Sequence, residues 1–238
     1  MVLTGGDRSR AVTPGDFDLE NAVSGDPAAH VKLRALEERG FAVLGEYAGP
    51  VIPKEEWLSL EYFHRKSGGD THFAPIASGA GEMECGGFWQ YGKSEKNGVW
   101  TKNAERCPTL VEWVKNVGAR FGRVRVVKLN PQTEAEAILH MHLDRNNLLN
   151  PDGEGWVVRV WLELTDDPNS YMLLRDSLEP HAESSVSLPR NRQLVIDSER
   201  LFHAVSHPGP DLRYALITSF ESGKALEQWM NSPCRESV

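Results

Sequence analysis

Apolar residues in the first half of the chain recur at the spacing of amphipathic helices. Asp26-Pro27 followed by AAHVKLRALEERG predicts a helix that ends at Gly40, because Asp caps helices, Pro fits the first turn and Gly ends them. The segment KEEWLSLEYFHRK predicts a second helix, and TLVEWVKNVGARF predicts a third. A short apolar strand over residues 41–44 lies between the first two.

After Gly122 the pattern changes to closely spaced β-strands, separated by turn signals such as Asn-Pro, Pro-Asp-Gly and Pro-Gly-Pro. The predicted strands cover residues 123–130, 136–144, 156–164, 170–176, 183–188, 192–197, 201–206 and 212–221. Because these strands follow the helices and do not alternate with them, the predicted class is α+β. The expected architecture is a double-stranded β-helix (a cupin-like jelly roll) with N-terminal helices packed on one sheet.

The same pattern predicts the organisation of the chain. Residues 1–26 are rich in Gly, Asp, Ser and Pro and are predicted to be a mobile leader. One domain is expected over 27–238, with a helical part at 27–122, a jelly-roll core at 123–222 and a short C-terminal helix. The Gly- and aromatic-rich stretch from Met83 to Trp100 forms either a lid over a site or a long loop with packed aromatics.

Composition narrows the classes of function. The chain has 238 residues, 40% of them hydrophobic and 25% charged, which is typical of a soluble globular protein. A net charge of −8 argues against binding to nucleic acid or an anionic membrane. Three scattered Cys without a CxxC pair, no secretory signal and no membrane-length apolar run favour the cytoplasm. The second helix is amphipathic, which suits the core or a homodimer interface.

The strongest chemical signal is His142-Leu143-Asp144, on a predicted strand. Residues two apart on a strand share a face, so both side chains can reach one metal ion. His203, in a later strand-like run, is the best third ligand. Two His and one carboxylate on one side of the ion form the facial triad of non-haem iron oxygenases. His140 shares that face with His142, so either histidine could be the first ligand.

Two arginines interrupt apolar strands near this motif. Arg213 comes ten residues after His203, in LRYALITSF, and Arg159 lies within WVVRVWLEL. An arginine among apolar strand residues needs an anionic partner, and its planar fork suits a carboxylate. Either two carboxylates of bound molecules, such as 2-oxoglutarate, or structural salt bridges with Asp or Glu would fill this role.

The order of these motifs resembles the Fe(II)/2-oxoglutarate-dependent oxygenases, and most closely their aspartyl/asparaginyl β-hydroxylase and proline 3-hydroxylase branch. The likeness covers about 125–221. Three positions depart from the branch pattern, namely Gln132 in place of Gly, Trp161 in place of His, and His207 where Asn is common. The matching positions are Leu129 and Pro131, His142 and Asp144, Arg159, Asp197, His203 and Arg213.

This resemblance implies roles for the residues. His142, Asp144 and His203 would hold Fe(II), and Arg213 would bind the distal carboxylate of 2-oxoglutarate. Arg159 would bind the metal-side carboxylate of 2-oxoglutarate or a carboxylate of the substrate. The implied reaction uses O₂, converts 2-oxoglutarate to succinate and CO₂, and oxidises an unactivated C–H bond. Because Asp144 is present, hydroxylation is expected and halogenation is not.

The expected substrate is a small polar metabolite, such as a free amino acid or a derivative. Candidate substrate contacts are Arg145, Asn146, Trp161 and Arg175, although a solvated turn, core packing and a surface ion pair would also account for them. The alternatives are hydroxylation of a peptidyl or carrier-bound residue, and a metal-free jelly-roll binding module. Desaturation or ring closure would need the same ligands.

Overall fold

The computed structural model describes residues 26–65, 71–178 and 183–232, so the predicted leader, apart from Asp26, lies outside the described residues. The strands are β1 Phe41–Val43, β2 Phe63–Arg65, β3 Thr71–Ser78, β4 Val99–Trp100, β5 Phe121–Leu129, β6 Val157–Glu163, β7 Tyr171–Arg175, β8 Glu183–Ser187, β9 Gln193–Ile196, β10 Phe202–Ser206 and β11 Arg213–Glu221. The helices are α1 Glu55–Leu58, α2 Pro108–Asn116, α3 Glu134–Leu139 and α4 Lys224–Asn231.

The strands form two antiparallel sheets. The larger sheet has the order β1-β9-β6-β11-β5-β3-β2, with β4 paired to β3, and the smaller has the order β10-β7-β8. From β6 onward, β6, β9 and β11 lie in the larger sheet and β7, β8 and β10 lie in the smaller one, so the chain passes repeatedly between the two sheets, as in a double-stranded β-helix. The predicted fold class is therefore confirmed.

The larger sheet separates two apolar clusters, and the alternation along β6 shows how. Val158, Val160 and Leu162 join an outer cluster with residues of α2 and α4. Trp161 faces the other way, into a cluster between the two sheets. Because successive strand residues point to opposite faces, Arg159 and Glu163 share the inner face with Trp161. This alternation directs polar groups of the strand into the space between the sheets.

The N-terminal helix predictions were only partly right. The third helix is present as α2, but residues 28–40 form two short 3-10 turns in place of one helix. Val31 exchanges backbone hydrogen bonds with the segment around Gly155, and this pairing interrupts the helix. The second prediction was also wrong beyond α1, because Phe63–Arg65 pairs with β3 as a strand. Among the described helices, none has the length and apolar character needed to cross a membrane.

The predicted strand over residues 136–144 was wrong for most of its length. Residues 134–139 form helix α3, which begins with a capping box between Thr133 and Glu136. In a capping box each residue's side chain accepts from the other's backbone N–H, which satisfies donors at the helix start. Only the following residues are extended, and they carry the His142 motif.

Candidate metal centre

Helix α3 and an extended segment bring His142 to the smaller sheet. The helix ends at His140, and His142 then forms an isolated antiparallel bridge with His203 of β10. Their backbones exchange two hydrogen bonds, of 3.3 Å and 3.0 Å. The backbone N–H of Asp144 donates to the carbonyl of Ser198 at 2.8 Å. Paired backbones thus place two imidazoles side by side although they are 61 residues apart in sequence.

His142, Asp144 and His203 converge on one point. Each offers a ligand atom, and these atoms all lie within 4.8 Å of one another. The Nε2 atom of His203 is 4.0 Å from Oδ2 of Asp144, and the two imidazole centroids are 4.6 Å apart. The cluster contains His142 and not His140. The spacing suits three ligands of one cation, as the sequence motif predicted.

The electrostatic state of the three side chains suits a metal. The Nδ1 atoms of His142 and His203 lie 2.9 Å and 3.2 Å from the carbonyls of His140 and Leu201, which favours a proton on Nδ1 and leaves Nε2 as the donor to a metal. Burial lowers the pKa of His203 to about 4, so its ring is neutral at pH 7. Burial alone raises the pKa of Asp144, but the charges around it, Arg159 foremost, hold that pKa well below its usual range. The Nε2 atoms of two imidazoles together with one carboxylate form a donor set that fits Fe(II).

Arg159 lies directly behind this cluster and is fully buried. Its Nε donates to Oδ2 of Asp144 at 3.1 Å, and its Nη2 lies 2.8 Å from Oε1 of Glu95. Asn146 and Ser219 accept from its remaining N–H groups. The structure therefore places Arg159 against the Asp144 carboxylate, with four of its five N–H groups used by the protein.

Arg213 lines the cavity beside the metal centre and pairs with Glu163 on the neighbouring strand. Both side chains are buried. Burial raises the pKa of Glu163 to about 7, although the charge of Arg213 opposes the rise. Within the described part of the chain, neither Nε of Arg213 nor Oε2 of Glu163 has a hydrogen-bond partner. The pair thus keeps one unused donor for a further anion.

The segment after Asp144 is not a solvated turn. Asn146 and Asn147 are almost completely buried, and Glu199 accepts from both of their backbone N–H groups. Asn146 also links Arg159 to Ser198 through its side chain. Arg145 is exposed at the mouth of the cavity. Asn146 therefore holds the wall of the site, whereas Arg145 can meet an entering molecule.

The two remaining candidates lie in different surroundings. Trp161 is buried, lines the cavity and packs edge-on against His203 with centroids 5.8 Å apart, so it is both core and pocket wall. Arg175 pairs with Glu183, with Nε 2.7 Å from Oε2, and is not among the described residues that line the cavity. The structure brings Trp161 to the site and leaves Arg175 in an ion pair.

The cavity next to the metal cluster has a volume of about 550 Å³, which is within the usual range for small-molecule sites. Part of the Gly-rich stretch reaches it, since Gly87, Trp89 and Gln90 are among its walls. Sequence reasoning missed three of its charged residues, Glu95, Arg123 and Arg125. The alternation of Arg and Val in RVRVV was the available signal for Arg125, because it places arginines on one face of β5.

Solved structures with a similar fold include proteins described as an oxygenase and as prolyl hydroxylases. An oxidoreductase of the 2OG-Fe(II) oxygenase family from Burkholderia pseudomallei superposes with a TM-score of 0.53 at 13% identity, over 81% of this chain and 95% of that one. A prolyl hydroxylase from Trichoplax adhaerens, in complex with a hypoxia-inducible-factor peptide fragment, gives 0.48 at 13% identity, over 84% and 90%. A Pseudomonas putida prolyl-4-hydroxylase gives 0.43 at 12%, over 80% and 96%. The likeness to the Burkholderia pseudomallei protein supports the fold.

No protein-family profile matches the sequence, and no curated protein matches it either.

Proposed function

We propose that this protein is an Fe(II)/2-oxoglutarate-dependent dioxygenase that hydroxylates a C–H bond of a small polar metabolite, such as a free amino acid or a derivative. The observation that carries the proposal is the convergence of His142, Asp144 and His203 beside the cavity of a double-stranded β-helix. The fold alone hosts other functions, but this donor set is the one that suits a reactive, partly open Fe(II) site.

The chain's own residues would bind and orient the reactants. When bound, Fe(II) together with 2-oxoglutarate and O₂ supplies the oxidising chemistry that side chains lack. The backbone carbonyls of His140 and Leu201 hold both imidazoles with Nε2 free. Arg213 would anchor the distal carboxylate of 2-oxoglutarate through its unused donor, and Trp161 would close the apolar wall. Positioning by these groups selects the carbon that reacts.

Arg159 takes a different role in this proposal from the one its sequence pattern implied. Because Asp144, Glu95, Asn146 and Ser219 occupy its donors, Arg159 is best suited to orient the metal-ligating carboxylate of Asp144. Residues that hydrogen-bond to metal ligands fix their orientation and tune the metal. We therefore assign Arg159 as a positioning residue and not as a binder of a carboxylate of the co-substrate or the substrate.

Anaerobic addition of Fe(II) and 2-oxoglutarate tests the site directly. A weak visible charge-transfer band is expected for the wild-type chelate, and His142→Ala or His203→Ala should abolish it. His140→Ala is the matched control, since it keeps the carbonyl that contacts His142 and should keep the band. Absence of the band at saturating ligand in a folded wild-type protein contradicts the proposal and favours a metal-free binding module. Loss with His140→Ala but not His142→Ala would show that His140 is the ligand.

The branch and the substrate belong to the same proposal. The likeness to the aspartyl/asparaginyl β-hydroxylase and proline 3-hydroxylase branch supports a free amino acid, and a peptidyl or carrier-bound residue is the alternative. A turnover panel of free amino acids and short peptides, scored by succinate release, separates them. Stimulation by peptides alone contradicts the small-metabolite assignment, and product mass distinguishes a gain of one oxygen from desaturation.

A further inference from the structure

We propose that Arg125 binds a carboxylate of the substrate, an inference that rests on the proposed function and names the class of molecule the site accepts. Arg125 lies on the inner face of β5 and lines the same cavity as the metal cluster. Strand pairing places it opposite Ile217 of β11, whose cross-strand partner on β6 is Trp161. Its position is therefore within the site and distinct from that of Arg213.

No anionic side chain of the described residues forms an ion pair with the buried guanidinium of Arg125. Its side chain is 8% exposed, and Cζ stacks over the ring of Phe73 at 4.1 Å from the centroid. Among the described residues, none accepts a hydrogen bond from Nε or Nη1 of Arg125. A buried cation whose donors are unused destabilises the folded chain unless a ligand supplies the missing charge. Arg159 differs in this respect, because Asp144, Glu95, Asn146 and Ser219 accept from its N–H groups.

The charges around Arg125 leave it unneutralised. Burial, with Arg123 and Arg159 nearby, lowers the pKa of Arg125 to about 9, although Asp144 and Cys85 oppose the fall. A guanidinium with that pKa is still a cation at neutral pH. Arg123 pairs with Glu95, which is also the partner of Arg159. Asp144, which acts on Arg125, likewise already accepts a hydrogen bond from Arg159.

The charged residues that line the cavity also leave an excess of positive charge. Two carboxylates, Glu95 and Asp144, line it, and Glu163 lies behind Arg213. Bound Fe(II) and the 2-oxoglutarate dianion would cancel each other. The arginines of the cavity then carry more positive charge than the carboxylates compensate. Arg125 is a buried arginine within this excess. The arginines that line the cavity are Arg123, Arg125, Arg145, Arg159 and Arg213.

A carboxylate is the anion that this geometry suits best. The planar fork of a guanidinium matches two carboxylate oxygens, and Phe73 holds the fork flat from one face. The apolar neighbours Val127 and Ile217 also line the cavity and can contact the carbon skeleton of the same molecule. A small acid fixed by Arg125 would present its skeleton to the metal cluster.

Matched acids and amides test this inference. The probes are the common L-amino acids and their C-terminal amides, titrated calorimetrically under anaerobic conditions with and without Fe(II) and 2-oxoglutarate. In the wild type at least one acid should bind about tenfold to a hundredfold more tightly than its amide, the usual effect of a charged hydrogen-bonded pair. Arg125→Met should reduce that preference to about twofold or less, and Arg125→Lys should retain part of it.

Controls separate a binding role from a structural one. Lys128→Met removes a cation from the other face of β5 and should leave the acid preference unchanged. Arg125→Met removes an unpaired buried charge, so its Tm should equal or exceed that of the wild type, whereas a purely structural arginine would lower it. The affinity for 2-oxoglutarate should change by less than about twofold.

Three results would overturn the inference: no acid preferred over its amide in the wild type, a preference that survives Arg125→Met, or an equal loss of 2-oxoglutarate affinity in that variant. The last result would make Arg125 a co-substrate residue. Failure of the proposed function is a separate outcome, seen as a missing charge-transfer band in the wild type, and the metal-free titrations remain readable in that case.

Discussion

Both faces of β6 are buried, but they carry different kinds of residues. On the outer face of β6, Val158, Val160 and Leu162 pack in an apolar cluster beneath the helices. On the inner face of the same strand, Arg159 and Glu163 are each 1% exposed. The outer face stabilises the fold through apolar burial, whereas the inner face holds charges that are stable only with partners. The candidate metal cluster and its cavity therefore lie on the inner face, where the buried charges depend on partners for their stability.

The largest expected effect comes from breaking the inner-face ion network. Glu95 accepts from Arg159, Arg123 and Ser219, so Glu95→Gln leaves the buried guanidinium of Arg159 and the partly buried one of Arg123 with less compensation. We expect the free energy of unfolding to fall by about 3–5 kcal/mol, measured by urea denaturation. Glu61→Gln, which breaks the exposed pair with Lys102, is the control and should cost about 1 kcal/mol or less. Equal losses in the two variants would refute the contrast.

A substitution on the outer face should affect stability alone. Leu162 is fully buried in the outer cluster, and Leu162→Ala removes apolar contacts and leaves a cavity. We expect a loss of about 2–5 kcal/mol in the free energy of unfolding. The charge-transfer band per folded molecule should remain, because Leu162 points away from the metal cluster. Loss of the band in protein shown to be folded would mean that the two faces are not independent.

We predict that Glu163 makes the binding of 2-oxoglutarate depend on pH. Its pKa is raised to about 7 by burial, and an anion arriving at Arg213 competes with the Glu163 carboxylate. Binding of 2-oxoglutarate should therefore favour the protonated form of Glu163. We expect its affinity to weaken as pH rises above about 7, by at most about tenfold per pH unit for one proton. Glu163→Gln should flatten this dependence, measured by calorimetry between pH 6 and 9, and an unchanged slope would contradict the competition.

The smallest effect is expected at the helix that precedes the metal ligands. Thr133 caps α3, and Thr133→Ala removes the side-chain oxygen that accepts from the backbone N–H of Glu136. We expect a loss of about 1 kcal/mol in the free energy of unfolding, seen as a small decrease in Tm. The iron site should still form, since the His142–His203 backbone pairing is separate from the cap. A loss as large as that of Glu95→Gln would show that α3 supports the inner face.

Local patterns were sufficient where neighbouring residues decide the conformation. The period-2 alternation around Arg159 and around Arg213 correctly predicted β6 and β11, and the apolar spacing of TLVEWV correctly predicted α2. Local signals also failed when a stronger one was overlooked. Alternating apolar residues led to the prediction of a strand over 136–144. The Thr133-x-x-Glu136 capping box indicated the helix that is present there.

Other errors came from long-range pairing. The segment that includes Phe63 has a helical pattern, but residues 63–65 pair with β3 as a strand. The residues of the segment alone do not indicate this pairing. The pairing of Val31 with Gly155 likewise spans more than 120 residues. In both cases backbone hydrogen bonds to a distant segment replaced the local helical ones.

The sequence by itself identified His142, Asp144, His203 and the two strand arginines as candidate site residues. Alternation along extended segments was sufficient to assign their side chains to faces. Only the tertiary structure decided which of these residues share partners. Arg159 pairs with Asp144 and Glu95, whereas Nε and Nη1 of Arg125 have no partner among the described residues. The physical reason is that a buried charge is defined by what surrounds it in space, and those neighbours come from segments far apart in the chain.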